Sequence, residues 1–452
     1  MTTSTTTQPR TVADPSQLAA LELMQSGHNV FLTGVAGSGK SYVVRQHIGR
    51  AFDQPEITAS TGIAAINLQN AFLAETGIAL RASTVYRWAG IAIGPKPHQS
   101  FEEYFRLIAT KPPPSRINAF NRVYRAKCLL IDEISMIPGR ILDYLDYHCR
   151  QLRNDDRPFG GIQIIAVGDF LQLPPVSKNG TYDWAFLSNS WQGADFQPAV
   201  LTHIHRQADP AFINALNDFR EGRIRGSTAR LLANRVARFP SRNITRLLTH
   251  NTQVDKWNAY QLENIEKPAH TFTGEESGPQ DQIDYLWKNS ITPRVLTLKE
   301  GARIMVTRNL SQDGELIAAN GATGTVIAIG DEAITVDLDN IGLADIHRTD
   351  FQFDPFDPDS AAVTQYPLRP AYAMTIHKSQ GLTLDRALID IRAAREPGQA
   401  YVALSRLRSL TGLHLKDWIR GVFVSNEAIS FHRNLTSPSR GVGACSGPAA
   451  QP

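Results

Sequence analysis

HNVFLTGVAGSGKSYVVRQHI, residues 28–48, is the stretch that decides the fold. An apolar run enters Gly34-Val-Ala-Gly-Ser-Gly-Lys40-Ser41, which satisfies GxxxxGK[ST], and a helical pattern leaves it. Strand, loop and helix therefore come in the order a phosphate-cradling loop requires. Gly34, Gly37, Ser38 and Gly39 let backbone N–H groups close around a β-phosphate. Lys40 is placed to bridge β- and γ-phosphates, and Ser41 to offer its hydroxyl to Mg²⁺.

Outward from the cradle, other apolar runs have the length of buried parallel strands. CLLIDE at 128–133 and IIAVGD at 164–169 are two, and RALIDI at 386–391 is a third. Strands alternating with helical patterns predict an α/β fold with parallel sheets. The predicted layout has a loose start at 1–13, a first α/β unit at 14–200 and a second at 201–433. A small insertion at 91–127 carries KPPPS. Residues 318–366 hold Val/Ile/Thr runs broken by Gly and Asp, which predicts a β-rich module. The Gly/Ser/Pro-rich end, 434–452, reads as disordered.

LLIDE supplies what the cradle lacks. Asp132 would hold Mg²⁺, and Glu133 would polarise the attacking water. Together the two motifs indicate a nucleoside triphosphatase using Mg²⁺.

Composition narrows the class. A chain of 452 residues exceeds one compact core. No apolar run reaches the roughly 20 residues of a membrane helix, so no membrane partner is expected. Cys128, Cys149 and Cys445 lack CxxC spacing, which argues against a zinc site or a disulfide framework and for the cytoplasm, with organelle or nucleus left open. The formal charge of +3 leaves any nucleic-acid contact to local patches. Arg220, Arg223, Arg225, Arg230, Arg235, Arg238, Arg242 and Arg246 meet only Glu221 and form one, as either a solvated or a DNA-facing surface.

Further strings follow in a fixed order: ITASTGIAA (57–65), GGIQIIAVGDFLQLPPV (160–176), HRQ (205–207), TIHKSQG (375–381) and GQAYVALSR (398–406). With the cradle and LIDEISM, they give a chain that resembles the Pif-one branch of superfamily I helicases, relatives of RecD, from about Pro15 to Trp418. The resemblance implies two RecA-like domains with ATP between them, single-stranded DNA across the top and an SH3-like β insertion. It implies that Gln17 reads adenine, that Asp169 and Gln172 sense the γ-phosphate, and that Gly381 borders the nucleotide. Arg206 and Arg406 would be arginine fingers from the second domain, planar forks suited to spread phosphoryl charge.

The implied DNA path uses Thr61, Gly62, Thr84, Thr249, Asn251, Thr375, His377 and Ser379. Hydroxyls, amides and backbone N–H groups touch phosphates without reading bases. The family's usual Thr-Ile-His-Ser-Phe string is here Thr84-Val-Tyr86-Arg87-Trp88, which leaves stacking to Tyr86 or Trp88. The expected partners are single-stranded and forked duplex DNA, with replication or recombination proteins beside them, for a chain acting as a monomer. The expected direction is 5′ to 3′. A translocase or remodelling subunit that does not unwind, and an ATP-binding DNA switch, are the alternative readings. No second carboxylate cluster suited to a nuclease is present in the sequence.

Overall fold

A computed structural model describes residues 13–50, 55–92, 94–177, 180–236, 244–290, 292–312, 315–318, 320–339, 341–353, 360–417 and 421–436. Nearly all of the predicted loose start and tail lies outside these residues, as does Cys445.

The first α/β unit is built on six parallel strands. Their order is Ala82–Thr84, Glu56–Ala59, Cys128–Asp132, Gln163–Val167, Val30–Gly34 and Gln197–Leu201. The apolar runs are continuous because both faces are covered. Phe31, Leu129, Ile131, Ile164 and Ala166 enter one core cluster. Their neighbours Val30, Leu32, Leu130, Ile165 and Val167 enter the cluster on the opposite face. The predicted insertion at 91–127 holds two helices, Phe101–Ala109 and Pro114–Arg125. Tyr104, Ile108 and Val123 bury themselves in the first cluster, so these helices are part of the domain's body.

The second unit has four parallel strands in the order Ala373–Thr375, Arg246–Leu248, Ala387–Asp390 and Leu413–Asp417. Helices Pro210–Glu221 and Gln399–Ser405 pack on it through Phe212, Leu216, Tyr401 and Leu404. Ala36 and Leu173 of the first unit join the same cluster.

Two boundaries differ from those read in the sequence. The β-rich module is wider than 318–366. Its five-stranded antiparallel sheet runs Gly342–His347, Ala333–Leu338, Thr323–Ile329, Arg303–Val306 and Leu368–Pro370. Both outer segments are short and lie outside the Val/Ile/Thr run that betrays the centre. The second difference is the last helix, Asn426–Thr436, which leaves the second unit and returns to the first. Ala428, Ile429 and Phe431 enter the core of the first unit, and Phe431 stacks on Phe186 at 4.4 Å. The helix also takes in residues 434–436, so the predicted disordered tail begins too early.

Among the described residues no helix is long and apolar enough to cross a membrane. Cys128 and Cys149 are buried free thiols, and burial pushes Cys128 up to about 12.

Candidate active site in the interdomain cleft

The cradle leaves the strand Val30–Gly34 and ends at the helix Lys40–Arg50. Gly37 and Gly39 both take left-handed φ, +84° and +89°. Neighbours press on them as well. A Cβ on Gly37 would lie 2.6 Å from the Arg206 Cβ, and one on Gly39 would lie 2.4 Å from the Gln17 Nε2. The connection between the units thus lies directly against the loop, where the His205 N–H donates to the Gly37 carbonyl at 2.8 Å. Arg206 therefore sits on this connection, just after the last strand of the first unit and against the cradle, where the sequence places it simply within the second domain. Its Nη1 reaches across to the Ser405 carbonyl at 3.0 Å.

Gln17 is buried, held by a capping box with Asp14. Its Nε2 donates to the Ser38 carbonyl at 3.4 Å and lies 3.1 Å from His205 Nε2. His205 is a cavity residue that the sequence reading passed over inside the HRQ string.

A cavity of about 440 Å³ opens beside the loop. It is lined by Gly37, Gly39, Lys40 and Ser41 of the cradle, by Glu133 and Gln172, by Arg206, and by Gly381 and Arg406 of the second unit. Residues separated by hundreds of positions thus meet at one place. Lys40 Nζ donates to the Gly34 and Val35 carbonyls at 2.8 and 3.3 Å. Burial pushes its ammonium down, and the carboxylates of Asp169 and Glu133 work against that shift. Ser38 Oγ is fully buried without a partner. Arg406 is buried, with Nε on the Val402 carbonyl and Nη2 on Ser405 Oγ, both at 2.9 Å. Burial and the nearby Arg206 charge push it down to about 9. Arg45, Thr383 and Arg408 also line the wall. Arg45 falls in the helix after the cradle without a motif position of its own, and Thr383 and Arg408 lie just beyond TIHKSQG and GQAYVALSR, so the motifs gave no signal for them.

Asp132 and Glu133 end their strand side by side, Glu133 in left-handed backbone at φ +53°. That conformation is strained for a non-glycine residue. Burial, then the Glu133 charge, pushes Asp132 up to about 7. Burial raises Glu133 too, against the pull of Lys40 and Arg406. The cationic cavity, the crowded glycines and the buried Ser38 hydroxyl fit a polyphosphate. The hydroxyl of Ser41 and the carboxylate of Asp132 are hard oxygen donors that suit Mg²⁺, and a dication would relieve the repulsion that raises Asp132.

Asp169 is placed differently from expectation. It is 1% exposed and forms a two-bond ion pair with Arg220, Nη2–Oδ1 at 2.9 Å and Nε–Oδ2 at 3.1 Å. Burial pushes the Asp169 carboxyl up, and Arg220 outweighs it, holding the group below its ordinary value. Asp169 thus holds its loop in place and does not line the cavity, and Arg220 leaves the basic surface patch. Gln172, three residues along the same loop, does face the cavity.

A neighbouring cavity of about 380 Å³ is lined by Thr61, Asn67, Asp132, Glu133, His377, Lys378 and Gln380 among others, joining the two carboxylates to the expected strand path. Thr61 caps the helix Gly62–Thr76, accepting the Ala64 N–H at 3.2 Å. His377 is exposed and lies 3.4 Å from Glu396. Thr84 caps the helix Val85–Ala89. With Tyr86 and Arg87, and with Tyr285 of the helix Gln280–Asn289 and Phe353, it borders a separate cavity. The Arg87 guanidinium lies 3.0 Å from the Phe353 ring centre. Thr249 pairs with His250, and Asn251 is exposed at the start of the helix Asn251–Glu263.

Three expected strand contacts are used internally. Trp88 is 2% exposed in the core, and its Nε1 donates to Glu56. Thr375 is buried and accepts the Lys378 N–H. Ser379 is fully buried and donates to the Ile376 carbonyl.

Comparison with known proteins gives consistent matches. A family model described as PIF1-like helicase matches residues 15–230. The ATP-dependent DNA helicase Pif1 of Bdellovibrio bacteriovorus is 37% identical, over 93% of this chain and 92% of that protein. The ATP-dependent DNA helicase PIF1 of Homo sapiens is 35% identical over 89% of this chain, which spans 60% of that longer protein. Among solved structures, Bacteroides sp Pif1 in complex with ADP-AlF4 superposes with a TM-score of 0.79 at 30% identity, covering 94% of this chain and 97% of that one. Bacteroides Pif1 bound to ssDNA gives 0.63 at the same identity and the same coverage of both chains.

Proposed function

The chain belongs to the PIF1-like helicase family of ATP-dependent DNA helicases, and we propose that it hydrolyses ATP in the interdomain cleft to move 5′ to 3′ along single-stranded DNA and open forked duplex. The observation that carries this reading is the meeting of Lys40, Glu133, Gln172 and Arg206 with Arg406 of the second unit around one cavity. The motor halves in this reading are 14–201 with the returning helix, and 202–417 with its β-rich module.

Lys40 and the cradle N–H groups hold the phosphates. Glu133, which lines the cavity beside Lys40, takes the proton of the attacking water. Arg206 and Arg406 stabilise charge on the transferring group, an effect worth ~10³ to 10⁵ in rate in well-studied cases. Mg²⁺, held by Ser41 and Asp132, would supply charge neutralisation between the phosphates.

Arg406 belongs to the second unit and Lys40 to the first, so nucleotide in the cleft draws the units together and its hydrolysis releases them. Thr61 on one side and His377 on the other line a single cavity beside Glu133, which ties that closure to the grip on the strand. Forked DNA as substrate and action as a monomer belong to the same reading, and single-strand binding is supported by the ssDNA complex of the Bacteroides relative.

The test is unwinding of duplexes with one single-stranded tail. A 5′ tail should permit unwinding in the presence of ATP. A requirement for a 3′ tail would overturn the direction, and ATP turnover without strand separation on any fork would leave a translocase.

A further inference from the structure

Where the second unit joins the β-rich module, a pocket of about 450 Å³ is lined by Arg369, Lys378, Asn258, Trp287 and Lys288, with Asp255 on its wall. Arg369 is fixed in the strand Leu368–Pro370 and paired with Met305 in the module's sheet. Lys378 lies in the short turn His377–Ser379, pinned by its own N–H to Thr375. The backbone of both residues is therefore held by ordered elements.

The charges in this pocket do not balance. Arg369 is 9% exposed, and its Nε is buried without a hydrogen-bond partner. Among the described residues, neither the Arg369 guanidinium nor the Lys378 ammonium makes a hydrogen bond or ion pair. Asp255, the acidic residue that both sense, is itself exposed and beyond ion-pair distance. Buried charges are normally paired, because an uncompensated one is strongly disfavoured. Two unpaired cations facing one cavity call for an anion with several acceptor oxygens. Burial pushes both groups down, and the Arg369 charge adds to that on Lys378. An arriving anion would reverse this.

We infer that the Arg369–Lys378 pocket is a phosphate site that takes a backbone phosphate of the DNA strand beyond the core path. It rests on the helicase reading, and the placement supports it. Lys378 lines both this pocket and the cavity containing Thr61 and His377, so a strand gripped there has its next phosphates within the pocket's reach. The Trp287 ring, oriented by its Nε1 donation to Glu276, adds a wall on which a base can stack.

The experiment is fluorescence anisotropy of labelled mixed-sequence single-stranded DNA against salt, for the full chain and for Arg369→Gln, Arg369→Lys and Lys378→Gln. Each phosphate contact contributes about 0.7 to the slope of log affinity against log salt. Arg369→Gln should flatten the slope by about 0.7, which is about 2.6-fold less loss of affinity over a fourfold rise in salt, and Arg369→Lys should restore it. Lys378→Gln, less buried, should act alike and covers the case in which the Arg369 variant fails to fold. Unchanged slopes in folded Gln variants, with wild-type binding intact, would overturn the inference. Failure of the wild-type chain to bind DNA would instead overturn the helicase reading and this site with it. Inorganic phosphate provides the other arm. If phosphate raises the melting temperature of the wild type but not of Arg369→Gln, while the DNA slopes coincide, the pocket takes free phosphate and the strand assignment falls.

Discussion

Replacing Arg220 by Met tests the buried pair that holds the catalytic loop. Asp169 is 1% exposed and relies on two hydrogen bonds from Arg220. Removing one partner of such a pair leaves an uncompensated buried charge and costs about 3–5 kcal/mol. Lys40 also attracts Asp169, which favours the lower end for the Arg220 variant. With about 2–4 °C per kcal/mol in units of this size, the melting temperature should fall by about 6–20 °C. Asp169→Leu should fall in the same range, because it strands the guanidinium. The double variant should recover much of the loss, giving a coupling of about 2 kcal/mol or more, since an apolar pair of similar volume is often neutral. Scanning calorimetry of the four proteins measures this cycle. Single variants within about 1 kcal/mol of wild type, or strict additivity, would refute the structural role assigned to the pair.

Glu133→Gln should bind nucleotide normally while turnover drops by about 10²- to 10⁴-fold, the usual contribution of a general base; loss of binding with unchanged turnover per bound ATP would make Glu133 structural. His432, 3.1 Å from Arg220 Nη1, is pushed down to about 4 by burial and by that charge, and buried His148 also lies at about 4. Both imidazoles take up protons more readily in the unfolded chain, so stability should fall as pH drops from about 6.5 to about 4. Melting curves of His432→Gln should decline less steeply than wild type over that range, and an identical decline would contradict the burial of His432. Trp88→Phe should lower the melting temperature through the lost bond to Glu56 yet leave single-strand affinity unchanged, and a clear loss of affinity in the folded variant would return Trp88 to the strand path.

The parts of the molecule that were legible in the sequence are those whose physics is local. The cradle needs glycines, a lysine and a hydroxyl at fixed offsets, and strands such as CLLID show themselves because burial on both faces makes them continuously apolar. Arg406 is named through the family resemblance alone, and the structure places it at the end of a helix whose residues 399–405 are all buried, on the wall of the cavity. What stayed hidden depends on contacts between distant segments. Nothing near Asp169 announces Arg220, 51 positions away. Nothing in the short segment around Phe431 says that it returns to the first unit. Thr375, Ser379 and Trp88 lie in strings tied to function, yet each is used by its own turn or core. A residue type in a motif does not tell whether its polar group points outward or closes the local backbone. Arg369 escaped notice for the opposite reason, since its lack of a partner is visible only once the pocket is formed.

The most direct test of the account is steady-state ATP turnover with and without single-stranded DNA. Motor coupling predicts stimulation of about tenfold or more, which is about 1.4 kcal/mol of additional transition-state stabilisation, with little preference among mixed sequences. Lys40→Ala should hydrolyse ATP at under about a tenth of the wild-type rate, given the size of such electrostatic contributions. Equal turnover by the wild-type chain with and without DNA would contradict the coupling of this cleft to a strand.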